Sequence, residues 1–374
     1  MDTNVALWLG LLLTPGLGQR GCQKLIEAFD VPEAIYAASL TALESCQVPA
    51  AVAQCIHSGR SAELGAAEAA SAQQLGTTIV TRGDREYPAL LREIYDPPLL
   101  LYVRGRVAAL DAFALALVGT RRPTLYGKLM AERMGQDLAR WGLSVISGMA
   151  RGIDGIGQKA CLQAGGTTVG VLGTGMDVIY PSEHRKLADD IIAGGGALVS
   201  EFPLGTVPNA QNFPIRNRVI SGMALGVLVV EGGEFSGSRI TSRMALEQNR
   251  EVFAIPGMIT QKQAWLPNAL IKQGAKLVTE VADIIEELPS AVRSRLQPPP
   301  EPKAAVSVDA TGAELGPKQA ILGVLPVDEG THVDEIVNRL HNKLSAPEML
   351  ALLFDLELEG KIRQLPGKKY LRVS

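Results

Sequence analysis

The sequence predicts an α/β protein whose main domain is an extended Rossmann-like, doubly wound parallel sheet. Six short apolar runs recur between residues 114 and 257, each is followed by a stretch with helical spacing, and each ends in glycines or polar residues. Strands that are apolar on both faces and alternate with helices are typical of a parallel sheet covered on both sides. The length of 374 residues and the hydrophobic fraction of 47% allow one large core with smaller domains beside it.

The strands and helices of this main domain alternate regularly. The predicted strands are residues 114–119, 143–147, 168–173, 197–202, 226–232 and 251–257, and the predicted helices are residues 126–141, 153–164, 184–193, 216–224, 239–248 and 268–274. Two further short strands, at residues 77–83 and 98–105, precede this pattern. Open α/β sheets bind ligands outside the carboxyl ends of their strands, so the turns at that edge are where a site is expected.

Composition and periodicity set the domain boundaries. Residues 1–72 are rich in alanine and leucine at helical spacing, which predicts a helical, SAM/HhH-like domain. Residues 73–288 hold the Rossmann-like domain, residues 289–313 form a proline-rich linker, and residues 314–374 form a third domain. In the first domain, residues 13–29 predict two helices joined by a Pro-Gly-Leu-Gly hairpin, which is either a phosphate-binding loop or a helical corner that needs glycine.

The third domain predicts a winged helix. Three helical stretches are followed by a strand, a Pro-Gly turn and a second strand. The third helix carries the acidic residues Glu348, Asp355, Glu357 and Glu359, whereas a helix that reads the major groove usually carries arginine, asparagine or glutamine. Two interpretations therefore stay open, a DNA-binding and a protein-binding winged helix.

Composition and charge restrict the class of protein. The net charge of −3 counts against binding nucleic acid through bulk positive charge, but residues 115–250 carry 14 basic and 11 acidic side chains, whereas residues 1–70 carry 3 basic and 7 acidic ones. The four cysteines are scattered without a CxxC pair, and no apolar stretch reaches the roughly 20 residues of a membrane span. We therefore expect a cytoplasmic protein that does not enter the membrane and binds nucleic acid only at a local surface.

Five turns that follow predicted strands form the candidate site, at residues 119–127, 147–154, 173–181, 201–218 and 231–241. Their glycines allow backbone N–H groups to approach an anion, and each following helix directs its positive N-terminus to the same edge. Arginines in these turns suit phosphodiester oxygens, and aromatic rings can stack on unpaired bases. The candidate binding residues are Gly119, Thr120, Arg121, Arg122, Ser147, Gly148, Arg151, Gly173, Gly175, Tyr180, Phe213, Arg216, Arg218, Gly237, Ser238 and Arg239.

Some of these residues also have a structural interpretation. Arg216 and Arg218 could pair with Glu201 or Glu231 as ion pairs of the fold. Phe213 could close the edge of the core instead of stacking on a base. The sequence leaves both alternatives open.

Motifs for nucleotide binding or catalysis do not accompany these turns. The turn after the first core strand lacks GxGxxG, and the chain has no GxxxxGK[ST] motif. Of the four histidines only His184 lies near this edge, and neither a Ser-His-Asp arrangement nor a metal-ligand spacing is present. We therefore expect a binding protein without a catalytic residue, metal or cofactor, whose ligand is a single strand of nucleic acid.

Taken together, the turns resemble those of the DNA-processing protein A (DprA/Smf) family over about residues 75–290. The segments that carry the resemblance are ALVGTRRPTLYG (116–127), VISGMARGIDGIGQKACL (145–162), GVLGTGMDVIYP (170–181), EFP (201–203), NFPIRNRVISGMA (212–224), GSRIT (237–241), ALEQNREVFAIPG (245–257) and NALIKQGAKLV (268–278). The helical first domain and the winged helix fit the three-part layout of the family more loosely.

The resemblance implies both a function and a set of binding residues. It implies a Rossmann domain that binds single-stranded DNA without a nucleotide, protects incoming DNA during natural transformation, loads the recombinase RecA onto it and forms a homodimer. By motif, the binding residues of the family fall on Gly119, Thr120, Arg121, Phe213, Pro214, Arg216, Asn217 and Arg218, and near Arg185 and Lys186.

The chain departs from the family pattern at three places. Gln158 stands where the family often has a histidine, and Arg239 stands where the turn usually continues with leucine. Ahead of the NALI helix the chain has Leu266 and Pro267, where the family often has glycine followed by threonine or serine.

An enzyme is the alternative interpretation. Nucleotide phosphoribohydrolases of the lysine-decarboxylase-like type share this Rossmann variant and resemble one another in a Pro-Gly-Gly-x-Gly-Thr turn with a catalytic glutamate downstream. Here the turn reads Glu-Gly-Gly-Glu-Phe-Ser over residues 231–236, and Glu247 lies downstream.

Overall fold

The computed structural model describes residues 3–296, 317–326, 330–340 and 346–373. Its contacts divide the chain into two compact units, residues 1–299 and residues 300–374. The first unit contains a helical part followed by a nine-stranded sheet with helices on both faces, and the second is a winged helix. Of the predicted linker, residues 297–313 lie outside the described residues, and the boundaries set at 72, 288 and 313 stay predictions.

The first unit begins with six helices and continues with alternating strands and helices. Its helices are α1 (Thr3–Leu13), α2 (Gly18–Phe29), α3 (Pro32–Ala37), α4 (Leu40–Ser45), α5 (Ala50–His57), α6 (Arg60–Gln74), α7 (Ala89–Arg92), α8 (Leu125–Arg140), α9 (Ile153–Gln163), α10 (Arg185–Ala193), α11 (Asn212–Gly222), α12 (Gly237–Glu247), α13 (Trp265–Lys272), α14 (Val281–Glu287) and α15 (Ser290–Arg293). Its strands are β1 (Thr78–Thr81), β2 (Leu100–Gly105), β3 (Ala114–Val118), β4 (Ser144–Ser147), β5 (Thr168–Val171), β6 (Ala197–Ser200), β7 (Gly226–Val229), β8 (Glu251–Ala254) and β9 (Lys276–Leu277).

The sheet is mixed and mostly parallel, with the strand order β1-β2-β6-β5-β4-β3-β7-β8-β9. Strands β3 to β9 run parallel to one another, whereas β2 pairs antiparallel with β6 and β1 pairs antiparallel with β2. Strands β3 to β7 are buried along their whole length, because helices cover both faces. The order reverses between β3 and β7, so the turns after these two strands flank a crevice at the topological switch point.

The six predicted core strands and their helices are present, and three helices begin two or more residues earlier than predicted: α12 at Gly237, α13 at Trp265 and, with the largest difference, α11. Helix α11 starts at Asn212 rather than at Arg216. Pro214 occupies its first turn, where the missing N–H has no helical partner to lose. The earlier start places Phe213 at the beginning of the helix, at the carboxyl edge of the sheet.

The helical part of the first unit packs closely on itself and on the sheet. Helices α1 and α6 approach closely because Gly65 has no side chain: a Cβ there would lie 1.9 Å from the carbonyl oxygen of Ala6. Gly16 and Gly18, between α1 and α2, have φ of +83° and +61°, as a helical corner requires. Glu68 of α6 accepts hydrogen bonds from the Tyr102 hydroxyl and from a backbone N–H of the loop after β6, and so fixes the helices against the sheet.

The second unit is a winged helix. It contains α16 (Pro317–Val324), β10 (Thr331–His332), α17 (Val333–Leu340), α18 (Ala346–Leu358), β11 (Ile362–Leu365) and β12 (Lys369–Arg372), and its three strands pair in the order β10-β12-β11. Helix α18 exposes Leu350, Phe354 and Leu358, while Lys318 of α16 forms ion pairs with Asp355 and Glu359. An apolar exposed face agrees better with the protein-binding interpretation than with a helix that reads base edges.

Candidate nucleic-acid interface

A cleft of about 1170 Å3 opens at the switch point of the sheet. Its lining comes mainly from the turns after β3 and β7, from the beginnings of α11 and α12, and from the segment that leads into α13, and the start of α9, the turn after β5 and the loop before α11 also contribute. The predicted site residues among the lining are Gly119, Thr120, Arg121, Tyr180, Phe213, Arg216, Asn217, Gly237 and Ser238. A smaller crevice beside it is lined by Arg121, Gly148, Arg151, Tyr180, Phe213 and Arg216. The structure therefore brings together residues from all five predicted turns.

Arg121, Phe213 and Tyr180 form a stack at this cleft, hereafter the Phe213 stack. The Arg121 guanidinium carbon lies 5.5 Å from the centroid of the Phe213 ring, and the Phe213 and Tyr180 centroids are 5.6 Å apart at an interplanar angle of 30°. Arg121 is exposed, and no carboxylate of the described residues forms an ion pair with it. A cation on an aromatic face offers both a charge for a phosphate and a surface for a base.

A second cation–aromatic pair lies at another part of the cleft, where Trp265 is a lining residue and Arg239 is not. The Arg239 guanidinium lies 5.9 Å from the centroid of the Trp265 ring. Phe235 and Lys262 also line the cleft and are exposed. The motif-based prediction named Arg239 but missed the other three residues, because Phe235 lies in the turn before α12 and Lys262 and Trp265 lie just before and at the start of α13, where no motif marks them.

Two buried carboxylates occupy anion-binding positions that the sequence assigned to a ligand. The Glu231 carboxylate accepts hydrogen bonds from the backbone N–H of Thr124 (2.9 Å) and from its hydroxyl (2.5 Å), at the N-terminus of α8. This is the helix that follows the first core strand, where a dinucleotide phosphate would sit in a Rossmann fold. An internal carboxylate at this position agrees with the missing GxGxxG motif.

Asp154 likewise occupies a backbone N–H group, in the turn after β4. Its carboxylate accepts a hydrogen bond from the backbone N–H of Gly148 (3.1 Å), and its burial raises its pKa although the nearby Arg216 opposes the shift. The Ser147 hydroxyl is fully buried and donates to the carbonyl oxygen of Leu117 at 2.6 Å. Ser147 and Gly148 therefore donate hydrogen bonds to other residues of the fold.

The two arginines of α11 are buried, although Arg216 still contributes to the lining of the cleft. Arg216 donates to the carbonyl oxygens of Gly148 (2.7 Å) and Val171, and its burial lowers its pKa to about 10. Arg218 forms ion pairs with Glu201 and, at 3.2 Å, with Asp96. The pairing of Arg218 with Glu201 is the structural alternative that the sequence left open, whereas Arg216 bonds carbonyl groups instead of Glu201 or Glu231.

The remaining predicted cations lie around the cleft on the surface. Arg151 forms a two-point ion pair with Glu183, with N···O distances of 2.5 and 2.8 Å. Arg122, Arg185 and Lys186 are exposed, and no ion pair connects them to the described carboxylates.

Gly173 and Gly175 allow close packing beside the cleft. A Cβ on Gly173 would lie 2.9 Å from the Phe213 ring, and one on Gly175 would lie 2.6 Å from both Asp177 and the Pro203 carbonyl oxygen. These glycines therefore shape the site and position its aromatic ring.

Two residues singled out in the sequence prove to be structural. Gln158 is fully buried, and its side-chain amide donates to Thr168 and to the Val169 carbonyl oxygen of β5, so this position faces the sheet and not the cleft. One ring nitrogen of His184 lies 2.8 Å from the Met149 carbonyl oxygen.

The structure does not favour the phosphoribohydrolase alternative. Glu247 is exposed and forms an ion pair with Arg243 one turn earlier on α12. Glu231 accepts hydrogen bonds from Thr124, the N-cap residue of α8. Both glutamates that could replace the catalytic residue of such an enzyme therefore have other partners.

Within the described ranges, no helix combines the length and the apolar character that crossing a membrane requires.

Comparison with known proteins identifies relatives of both units. The family model of DNA recombination-mediator protein A matches residues 78–289, and that of the DprA winged helix domain matches residues 297–368. The chain is 43% identical to Protein Smf of Escherichia coli K12 over 288 residues, which is 75% of this chain and 74% of that protein. It is also 43% identical to the DNA processing protein DprA of Bacillus subtilis 168 over 221 residues, which is 59% of this chain and 74% of that protein.

A solved structure agrees with these matches. The X-ray structure of DNA processing protein A from Streptococcus pneumoniae superposes with a TM-score of 0.66 at 33% sequence identity and covers 76% of this chain and 96% of that one. The architecture of the first unit is therefore one that an experimentally determined relative shares.

Proposed function

Because this chain belongs to the DNA recombination-mediator protein A family, we propose that it binds single-stranded DNA in the switch-point cleft and loads a RecA-type recombinase onto it. Its place in the family makes it a DNA-processing recombination mediator. Binding of the single strand, transfer to RecA, protection of incoming DNA during natural transformation and action as a homodimer are the proposed steps.

The Phe213 stack carries the proposal. A solvent-exposed guanidinium, with which no carboxylate of the described residues forms an ion pair, lies on an aromatic ring inside a large cleft. Leaving such a charge unpaired gains nothing for the fold, whereas it provides a strong contact for a phosphodiester. A second ring beside the first enlarges the stacking surface.

The same geometry favours a single strand over a duplex. Aromatic rings reach the faces of bases only when these are unpaired, and base–aromatic stacking tolerates any sequence because every base has a π-face. The backbone N–H groups that Glu231 and Asp154 occupy are not available to a nucleotide cofactor. We therefore assign the cleft a binding role and not a catalytic one.

We further propose that the protein acts in the cytoplasm. The four cysteines are free, and free thiols persist in a reducing compartment. Size-exclusion chromatography with light scattering tests the proposed homodimer.

A gel-shift titration with a labelled single-stranded oligonucleotide tests the binding step. We expect Arg121→Ala to weaken binding about 10- to 100-fold at low salt, and the salt dependence to fall by about 0.7 in slope for the lost phosphate contact. Arg140→Ala is the control, because it removes the same charge from an exposed position at the end of α8. Wild-type protein that does not bind the oligonucleotide at low salt would refute the proposal.

The loading step has its own measurement. We expect wild-type protein to accelerate the assembly of RecA on single strands coated with single-strand-binding protein, and Arg121→Ala to lose this acceleration. Acceleration by Arg121→Ala equal to that of wild-type protein would separate RecA loading from DNA binding in the cleft.

A further inference from the structure

The Arg239–Trp265 pair, hereafter the Trp265 stack, repeats the chemistry of the Phe213 stack at another part of the cleft, where Trp265 lines the cleft and Arg239 lies next to the lining residues Ser238 and Ile240. In both, an exposed guanidinium lies within 6 Å of the centroid of an aromatic ring, at 5.9 Å for Arg239 and 5.5 Å for Arg121. The Trp265 side chain is 42% exposed, which is unusual for the largest aromatic side chain in a protein with a well-packed core. Much of the indole surface of Trp265 is therefore not used in packing within the fold.

The backbone around Gly232 holds Trp265 in place. The Gly232 N–H donates to the Gln263 carbonyl oxygen at 2.7 Å, and the Leu266 N–H donates to the Gly232 carbonyl oxygen at 2.8 Å. A Cβ on Gly232 would lie 2.9 Å from the Leu266 side chain, so this close approach depends on glycine. These two hydrogen bonds attach the start of α13 to the turn after β7, and they fix the indole at the rim of the cleft.

Arg239 is positioned by the turn that precedes α12. Ser236 caps this helix through its hydroxyl, and the Arg239 guanidinium donates to the carbonyl oxygen of Glu234 at 3.3 Å. Among the described residues no carboxylate forms an ion pair with Arg239 or with Lys262. Of the described residues that line the cleft between Gly233 and Ser238 and at Lys262 and Trp265, the only acidic one is Glu234, and it is exposed.

Phe235 extends the same surface. Its side chain is 91% exposed, and it lies in the turn between β7 and α12. Together with Trp265, Arg239 and Lys262 it supplies two aromatic surfaces and two cations, the combination that single-strand-binding proteins use.

We propose that the Trp265 stack is a second base-stacking position, so that one DNA strand crosses the switch-point cleft and is held by the Phe213 stack and the Trp265 stack. The inference rests on the proposed function and adds to it the residues that hold the strand beyond the Phe213 stack. Lys262 and Arg239 then contact the phosphates that flank the stacked base.

Substitution of Trp265 tests the inference through affinity and fluorescence. We expect Trp265→Ala to weaken binding of an oligothymidylate about 5- to 100-fold, and Trp265→Phe to stay within about threefold of wild type, because a phenyl ring still stacks. Oligothymidylate should quench the tryptophan fluorescence of the wild type, and this quenching should be absent in Trp265→Phe, since Trp8 is buried and the remaining Trp141 lies outside the cleft lining.

Leu246→Ala is the matched control, because it truncates an exposed apolar residue of α12 that does not line the cleft. Circular dichroism checks that each variant is folded. If Trp265→Ala binds as tightly as wild type and quenching persists in Trp265→Phe, the second stack is refuted, while weak binding by Arg121→Ala still upholds the proposed function. If wild-type protein does not bind the oligothymidylate, both proposals fail.

Discussion

The turn after β3 and the helix α11 both present arginines at the carboxyl edge of one sheet, and they use them in different ways. Arg121 of the turn is exposed and lies on an aromatic ring, and within the described part of the chain no carboxylate pairs with it. The side chain of Arg218 in the helix is 5% exposed and forms ion pairs with Glu201 and Asp96. Residue type and position at the edge are therefore not enough to make an arginine a ligand contact; burial and nearby carboxylates decide.

Burial explains why the arginines of α11 need protein partners. Removing an ion from water costs several kcal/mol, and only close partners offset this cost. Burial raises the pKa of Glu201 to about 7 although Arg218 opposes the shift, and burial lowers the pKa of Arg216 to about 10. One oxygen of Glu201 and one nitrogen of Arg218 have no hydrogen-bond partner, so the pair is compensated only in part.

The largest expected effect is a loss of folding stability in the variant Arg218→Met. We expect the free energy of unfolding to fall by about 3–5 kcal/mol, because the variant leaves the buried Glu201 without its main cation. Urea unfolding followed by circular dichroism measures this loss. At a temperature where the variant is folded, its affinity for single-stranded DNA should equal that of the wild type.

The double variant Arg218→Met with Glu201→Gln is the control. Removing the buried charge together with its partner should restore part of the lost stability. If Arg218→Met is as stable as the wild type but no longer binds DNA, Arg218 contacts the DNA, as we propose for Arg121. The difference between α11 and the turn after β3 would then disappear.

A somewhat smaller effect is expected from the titration of Glu201. Its pKa is raised from 4.5 to about 7 in the folded protein, so the folded state binds more protons than the unfolded state between these values. The free energy of unfolding should therefore decrease as the pH rises from about 4.5 through about 7, by at most about 3 kcal/mol.

Comparison with Glu201→Gln isolates this contribution. Asp283 and Glu359 have lowered pKa values and act in the opposite direction, so the informative quantity is the difference between wild type and variant in urea unfolding at pH 5 and pH 8. If the pH dependence of stability is the same in both proteins, burial does not raise the pKa of Glu201. The difference in charge environment between the buried Arg218–Glu201 pair and the exposed Arg121 would then lack support.

The sequence was sufficient for the fold because its signals are local. Apolar runs ending in glycine or polar residues marked the six core strands, and the shared parallel direction placed their following turns at one edge. Strand β9 was missed because two residues, Lys276 and Leu277, carry no periodic pattern. The antiparallel pairing of β1 and β2 could not be predicted, since orientation depends on contacts with β6.

The candidate site was predictable only where a motif marks it. Arg121 and Phe213 lie in recognisable turns, whereas Trp265 follows an irregular segment and reaches the cleft through the tertiary contact of Gly232 with Gln263. The hydrogen bond from Thr124 to Glu231 joins residues 107 positions apart, so no local sequence pattern reveals it. A sequence shows which side chains are present at an edge, and only the fold shows which of them already have a partner.

The smallest expected effect concerns Arg151, which combines features of both regions. Like Arg121 it lines the crevice beside the Phe213 stack, and like Arg218 it has a carboxylate partner, Glu183. Both side chains of this ion pair are more than half exposed, so the pair contributes little to the fold and separates at little cost. The hydrogen bond from Arg151 nevertheless holds the pKa of Glu183 below its usual range, so this carboxylate is charged and competes with a phosphate for the guanidinium.

We therefore expect Glu183→Gln to bind single-stranded DNA about two- to threefold more tightly than the wild type at low salt, with the gain disappearing as salt screens the charges. Glu251→Gln is the matched control, because it removes one exposed acid at the start of β8, at the other edge of the sheet. Fluorescence anisotropy with a labelled oligonucleotide resolves a difference of this size. An equal gain in both variants would mean that net charge alone acts, whereas no gain in Glu183→Gln would place Arg151 with Arg218, as an arginine whose partner is the protein itself.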